Sequence, residues 1–197
     1  MRKNLILAST SSFRRELLRS TGLSFECVGP KVDEKQILGA KPGETARLRA
    51  RCKALDVAQR EPQALVIGCD QVLGLGDRLF DKAATASEAR DRLREFSGKT
   101  HILHSAVCLA AGAEAGNEPL VIEEFITPVA MRMRPLSEQE IDAYVQTGEW
   151  QGCVGCYRFE EKGVHLFDEV GGDSSSIIGL PLLPLLGALR RQGMRYL

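Results

Sequence analysis

The run Ala64 to Gly68, "ALVIG", offers no polar side chain to water. A segment so short and so uniformly apolar reads as a strand covered on both faces, the arrangement of a sheet with helices on either side. "LILA", Leu5 to Ala8, reads the same way, and a helix follows it from Arg14 to Arg19. Gly43 to Gln59 is helical by period: Leu48, Cys52 and Leu55 share a face, and Arg47, Arg49, Arg51 and Lys53 lie elsewhere as a largely solvated surface. Thr85 with Glu88, and Ser137 with Glu140, have capping-box spacing and open helices that end near Phe96 and before Gly148. "SGKTHILHSAVCLAAG" reads as a turn and a strand, and Phe125 to Met133 alternates as a strand does. "CVGCYRF" and "VHLFDEV" read as two more strands, and Gly171 to Asp173 as a loop. A last helix takes Pro181 in its first turn and ends in Arg190 and Arg191. The order βα, α, β, α, β, β, α, β, β, α predicts an α/β fold on a mixed sheet, with polar site residues where strands end.

The 197 residues, 44% of them hydrophobic, suffice for one sizeable core. Lys plus Arg and Asp plus Glu number 26 each, so the formal net charge is zero, which argues against a general nucleic-acid or membrane-surface binder. The start Met1-Arg2-Lys3 leads into an apolar run too short for a signal-peptide core, and no stretch approaches the ~20 residues of a membrane helix. A cytoplasmic protein is the expectation, and its six cysteines then read as reduced thiols. Cys153 and Cys156 form a lone CxxC without a second ligand pair, read as two small buried side chains at one strand edge.

Four groups of residues carry chemistry. Ser9, Ser11, Arg14 and Arg15 leave the first strand as hydroxyls and guanidiniums at a helix N-terminus, suited either to an anion site or to a plain cap with surface arginines. Asp70 follows the buried run directly, where a carboxylate can bind a divalent cation or take a proton from water, or cap a loop. Asp33 and Glu34 stand side by side, and one can share a metal with Asp70. Lys53 and Lys82 can each meet a phosphate as a point charge. Together the four groups suit phosphate and metal chemistry better than acyl transfer.

These motifs, in this order, resemble the Maf family of nucleoside triphosphate pyrophosphatases. The likeness runs through "LILASTSSFRREL", "VDE", "KA" at Lys53, "VIGCDQV", "SGKTH", "LSEQEIDAYV" and "GDSSSIIGLPL", nearly the whole chain. It implies a single domain over residues 1–197, built on an elongated mixed β-sheet with flanking helices and two lobes around a central cleft (the Maf/ITPase-like architecture). It also implies a small-molecule nucleotide as substrate and a fold that often forms a homodimer; the neutral charge adds the expectation of no nucleic-acid or membrane partner. The implied reaction cleaves a nucleotide between its α and β phosphates with the help of Mg2+ or Mn2+. Asp70 matches the family's proton acceptor, Glu34 an active-site acid placed with Asp70 at the metal, and Ser9, Ser11, Arg14, Arg15, Lys53 and Lys82 the phosphate-binding set.

Within the family, Phe13, Gln71 and Glu160 resemble the branch acting on 7-methylguanosine triphosphate, whereas the thymidine and uridine triphosphate branch carries Thr at position 71. Glu160 can accept hydrogen bonds from a guanine edge and Phe13 can stack on the base. The chain departs from the family at Ala83, where Pro follows the lysine in most members, at Phe13, where the branch often has Trp, and at Glu161, which stands in place of Gly. Two rivals remain: the same reaction on thymidine and uridine triphosphates, and a nucleotide-sensing regulator of cell division that binds without turnover. A thiol-based redox protein using Cys153 and Cys156 is a weaker third.

Overall fold

The computed structural model describes residues 4–113 and 117–194, so the basic start Met1 to Lys3 lies outside the described residues. A seven-stranded mixed sheet is built from β1 (Asn4–Ala8), β2 (Glu26–Cys27), β3 (Ala64–Leu75), β4 (Arg78–Phe80), β5 (Thr100–Ala111), β6 (Leu120–Met133) and β7 (Phe167–Gly171). Its order is β2-β1-β3-β5-β6-β7, with β4 on β3. The helices are α1 (Ser12–Arg19), α2 (Pro42–Arg60), α3 (Ala86–Phe96), α4 (Glu138–Gln146), α5 (Ser174–Ile178) and α6 (Leu182–Arg191). Among the described residues no helix is long and apolar enough to cross a membrane.

The expected mixed sheet is present, but β3 does not stop at Gly68. It continues to Leu75, which places Asp70 and Gln71 inside a strand rather than in the loop after one. One edge of β3 is paired with β5 from Leu65 to Gly74. The other edge pairs with β1 up to Gly68 and with β4 only from Leu73. Between these partners a short gap opens along a strand that is otherwise fully covered, and Asp70 and Gln71 occupy it.

Strand alternation then sorts the two polar residues to opposite faces. Asp70 shares a face with Val66, Gly68 and Val72, the face that packs on α2. There the buried stripe of the helix is Ala46, Ala50, Ala54 and Ala58, with Arg49 and Lys53 also buried, rather than Leu48, Cys52 and Leu55. Close approach explains the difference: a Cβ on Gly68 would come within 2.2 Å of the Ala50 carbonyl oxygen and 2.6 Å of the Ala54 nitrogen. The sheet therefore selects the small side chains, and the basic residues beside that stripe are carried down with it.

Gln71 lies on the other face. Its row continues across the sheet through Ser105 and Thr127, their registered partners. This polar row divides two apolar clusters. One contains Leu65, Ile67, Val107 and Leu109 with α1 and α6, and the other Leu73, Leu103, Val129 and Met131 with α3 and α4. Pro128 in β6 is tolerated because β7 pairs only from Ala130 onward, so its missing N–H falls on an unpartnered edge.

The last third departs most from expectation. "CVGCYRF" is not a strand but a series of turns, with positive φ at Cys156 (60°) and, just before the stretch, at Gly152 (76°). Cys156 is buried and Cys153 half-buried in that loop, so they do not share a strand edge, and burial pushes both thiols up. Asp173 caps the unanticipated α5, accepting from the Ser176 backbone N–H at 3.0 Å and from the Ser175 and Ser176 hydroxyls. The Ser137–Glu140 capping box forms in full at α4, whereas at α3 the Glu88 carboxylate accepts from Ala84, one residue before the Thr85 cap.

His101 sits in the second cluster against Phe96, with ring centroids 5.0 Å apart, and its Nε2 is 2.7 Å from the Tyr157 hydroxyl. Nδ1 is buried without a partner, and desolvation lowers the imidazole pKa to about 4. A group with a depressed folded pKa is neutral in both states above about pH 6.5, then loses stability as the unfolded chain protonates first. Between pH 7 and pH 4.5 this group is expected to withdraw about 2.5 kcal/mol. Denaturant titrations of wild type and His101→Gln at both pH values measure the difference; equal acid sensitivity in the two proteins would refute the assignment.

Candidate active site

The gap along β3 opens into a cleft of about 690 Å3. Its first wall is the β1–α1 connection. Ser11 is the N-cap, its Oγ accepting from the Arg14 backbone N–H at 3.4 Å, and the Ser9 Oγ accepts from the Ser11 N–H at 3.2 Å. Each hydroxyl thus spends a lone pair on the backbone and keeps its O–H for an incoming anion. The Arg14 guanidinium is fixed from behind: Nε donates to the Gly179 carbonyl at 2.9 Å and Nη1 to the Cys69 carbonyl at 3.4 Å. The Cys69 carbonyl belongs to the stretch of β3 between its two edge partners. Arg15, one residue on, does not line the cleft; it borders a separate surface pocket with Arg19, Phe25 and Cys27.

At the floor, Lys53 joins two carboxylates. Its Nζ lies 2.6 Å from Asp70 Oδ1 and 2.9 Å from Glu34 Oε1. Lys53 and Asp70 are both buried, whereas Glu34 is half-exposed on a 3-10 turn, Glu34–Gln36. Burial pushes the Asp70 carboxyl above its ordinary value, against the opposing charges of Lys53 and Arg14. Burial would raise Glu34 as well, but there the charge and hydrogen bond of Lys53 prevail and its carboxyl stays below the usual range. Asp70 Oδ2 is buried with no hydrogen-bond partner.

The cleft is also lined by Phe13, Gln71, Lys82 and Glu160. Gln71 Nε2 lies 2.9 Å from Ser105 Oγ, 3.1 Å from the Ser176 carbonyl and 2.9 Å from the Ile177 carbonyl, which ties β3 to α5. Phe13 is half-buried with the Arg158 guanidinium 5.1 Å from its ring centroid. Lys82 and Glu160 are exposed at the rim. The structure thus brings together every anticipated site residue except Arg15. It adds Arg49, a buried cation lining the cleft that helical periodicity alone assigns to the solvated surface.

Among the described residues no group of three or more His, Cys, Asp or Glu side chains is arranged to hold a metal ion. The pair Asp70 and Glu34 nevertheless suits a hard divalent cation, which takes one or two carboxylates and completes its shell with water and substrate phosphates. The unpartnered buried Asp70 Oδ2 is an oxygen such an ion would satisfy.

The sequence model of the family described as "Maf-like protein" matches residues 4–192. A Rhodopseudomonas palustris (strain BisB5) protein named nucleoside triphosphate pyrophosphatase is 44% identical over 95% of this chain and 93% of its own length. Two proteins named 7-methyl-GTP pyrophosphatase, from Rhizobium etli and Bartonella quintana, are 42% and 44% identical, each covering 98% of both chains.

Proposed function

Since the chain belongs to the Maf family, we propose that it is a nucleoside triphosphate pyrophosphatase that hydrolyses 7-methylguanosine triphosphate to the monophosphate and pyrophosphate. The observation that carries the site assignment is the buried Lys53 held between Asp70 and Glu34 at the floor of a cleft whose walls supply hydroxyls and guanidiniums.

In this reading Ser9, Ser11, Arg14, Lys53 and Lys82 receive the triphosphate. Arg14 is preorganised by its two carbonyl contacts, so little side-chain freedom is lost on binding. Asp70 takes the proton of the water that attacks the α phosphorus. Burial raises its pKa, which favours proton acceptance by the carboxylate, while the charge of Lys53 opposes that shift and its hydrogen bond aims the side chain. Lys53 and Arg14 then stand where charge collects as pyrophosphate leaves. Asp70 and Glu34 are the residues that would hold Mg2+ or Mn2+; such an ion, when bound, neutralises phosphate charge and acidifies water.

The base falls to Phe13, Gln71 and Glu160. Phe13 already stacks a planar cation, the Arg158 guanidinium, and a methylated guanine presents the same chemistry. The Gln71 amide nitrogen is committed to Ser105 and α5, so its share of specificity lies in fixing that part of the cleft. Glu160, exposed at the rim, accepts from the guanine edge.

A nucleotide panel with pyrophosphate detection tests the reading. Glu160→Ala is expected to raise KM for 7-methylguanosine triphosphate about tenfold and to leave thymidine and uridine triphosphates unaffected. Faster turnover of those pyrimidines by the wild type would assign the chain to the other branch. Tight binding without pyrophosphate release, with Mg2+ or Mn2+ supplied, would make it a sensor instead. The homodimer and the cytoplasmic location remain parts of the same proposal.

A further inference from the structure

We propose that Arg49 is a positioning residue for this reaction: through Asp81 it holds the segment that carries Lys82 over the cleft. The proposal rests on the reading of Lys82 as a phosphate ligand.

Arg49 lies on α2 one turn before Lys53, and its side chain is only 5% exposed. Nε donates to the Ile37 carbonyl at 3.1 Å, and Nη1 donates to Asp81 Oδ1 at 3.1 Å. Ile37 is the residue that ends the 3-10 turn bearing Glu34. One guanidinium therefore ties together α2, the Glu34 turn and the link between β4 and α3. In that link Ala83 is buried and the Ala84 N–H donates to Glu88 at 2.8 Å. Lys82 thus stands between two anchors, Asp81 on Arg49 before it and the Ala83–Ala84 attachment after it. Lys82 itself has no ion-pair partner among the described residues. Ala83 also leaves the backbone freer here than a proline would.

Asp81 makes the idea sharp, because its carboxylate is 58% exposed at the mouth of a site for a polyanion. Simple charge repulsion predicts that Asp81→Asn improves triphosphate binding. A latch predicts the reverse, since the neutral amide holds the guanidinium more weakly.

The experiment measures KM and kcat for pyrophosphate release by Asp81→Asn, Lys82→Ala and the double variant, with thermal unfolding as the folding control. Lys82→Ala is expected to raise KM with kcat retained, and an unchanged KM would overturn both the ligand reading and the latch. Asp81→Asn is expected to raise KM about fivefold at unchanged kcat, with an unfolding midpoint like that of the wild type. Added to Lys82→Ala it should do nothing more, a dependence that mere structural damage would not show. A lowered KM in Asp81→Asn, or effects that multiply in the double variant, would overturn the latch while leaving Lys82 as a ligand. Arg49→Lys, which keeps the charge but loses the two-point grip, should reproduce the Asp81→Asn phenotype.

Discussion

Asp70→Asn is expected to lower kcat about a thousandfold while the protein stays folded and still binds its substrate. The exchange keeps the shape of the side chain and an oxygen for Lys53 to hold at the floor of the cleft. What it removes is the second carboxylate oxygen, which is buried and has no hydrogen-bond partner in the protein. That oxygen is free to accept a proton or to contact a cation, and an amide NH2 in its place does neither. Any loss of stability should be smaller than for removal of the lysine, because the neutral amide is spared the desolvation cost of the carboxylate and Lys53 keeps its ion pair with Glu34. Pyrophosphate release, substrate affinity and the unfolding midpoint are the three readings needed. Full turnover in Asp70→Asn would mean that the proton goes elsewhere. A collapse of affinity along with turnover would mean that the carboxylate mainly orders Lys53.

Why Asp70 was legible, and its surroundings less so, follows from what is local. A carboxylate beside an apolar run is visible in one dimension, as are the Ser11 cap and the Ser137–Glu140 box, whose partners lie within one turn. That β3 continues through Asp70 is not visible. A polar pair normally ends a buried strand, and only the spacing of β1 and β4 along its edge makes room for one. The burial of Arg49 and Lys53 was hidden for a related reason. Periodicity favours the larger apolar side chains of α2, but the close approach at Gly68 admits only alanines, which rotates the basic residues toward the sheet. α5 is too short to show a period, and its signal was the single capping residue Asp173. Arg14 and Arg15 look equivalent as neighbours. On a helix they point about 100° apart, so one reaches the cleft and the other a different pocket.

Lys53→Met is the harsher change, expected to abolish turnover and to destabilise the protein by about 3 kcal/mol at pH 8. Among the described residues the lysine is the one group with an ion-pair contact to Asp70, and both side chains are nearly inaccessible. Removing it leaves a buried carboxylate whose pKa, already raised by burial, rises further. A carboxyl with a raised folded pKa contributes stability that is present below its unfolded pKa and lost as pH rises through its folded pKa. The deficit of Lys53→Met should therefore be smallest in acid, grow through the folded pKa of Asp70 and level off above it. Adding Asp70→Asn to Lys53→Met removes the stranded charge, so it should return most of the stability and none of the activity. Denaturant titrations of the single and double variants across pH separate this from loss of packing alone, which would show no pH dependence and no rescue. Glu34 supplies the contrast: it also touches Lys53, but it is half-exposed, so losing the lysine costs it far less desolvation. One lysine between a buried and a half-exposed carboxylate is thus asymmetric by construction. It opposes the effect of burial on Asp70 at the floor while leaving Glu34 accessible from the open side.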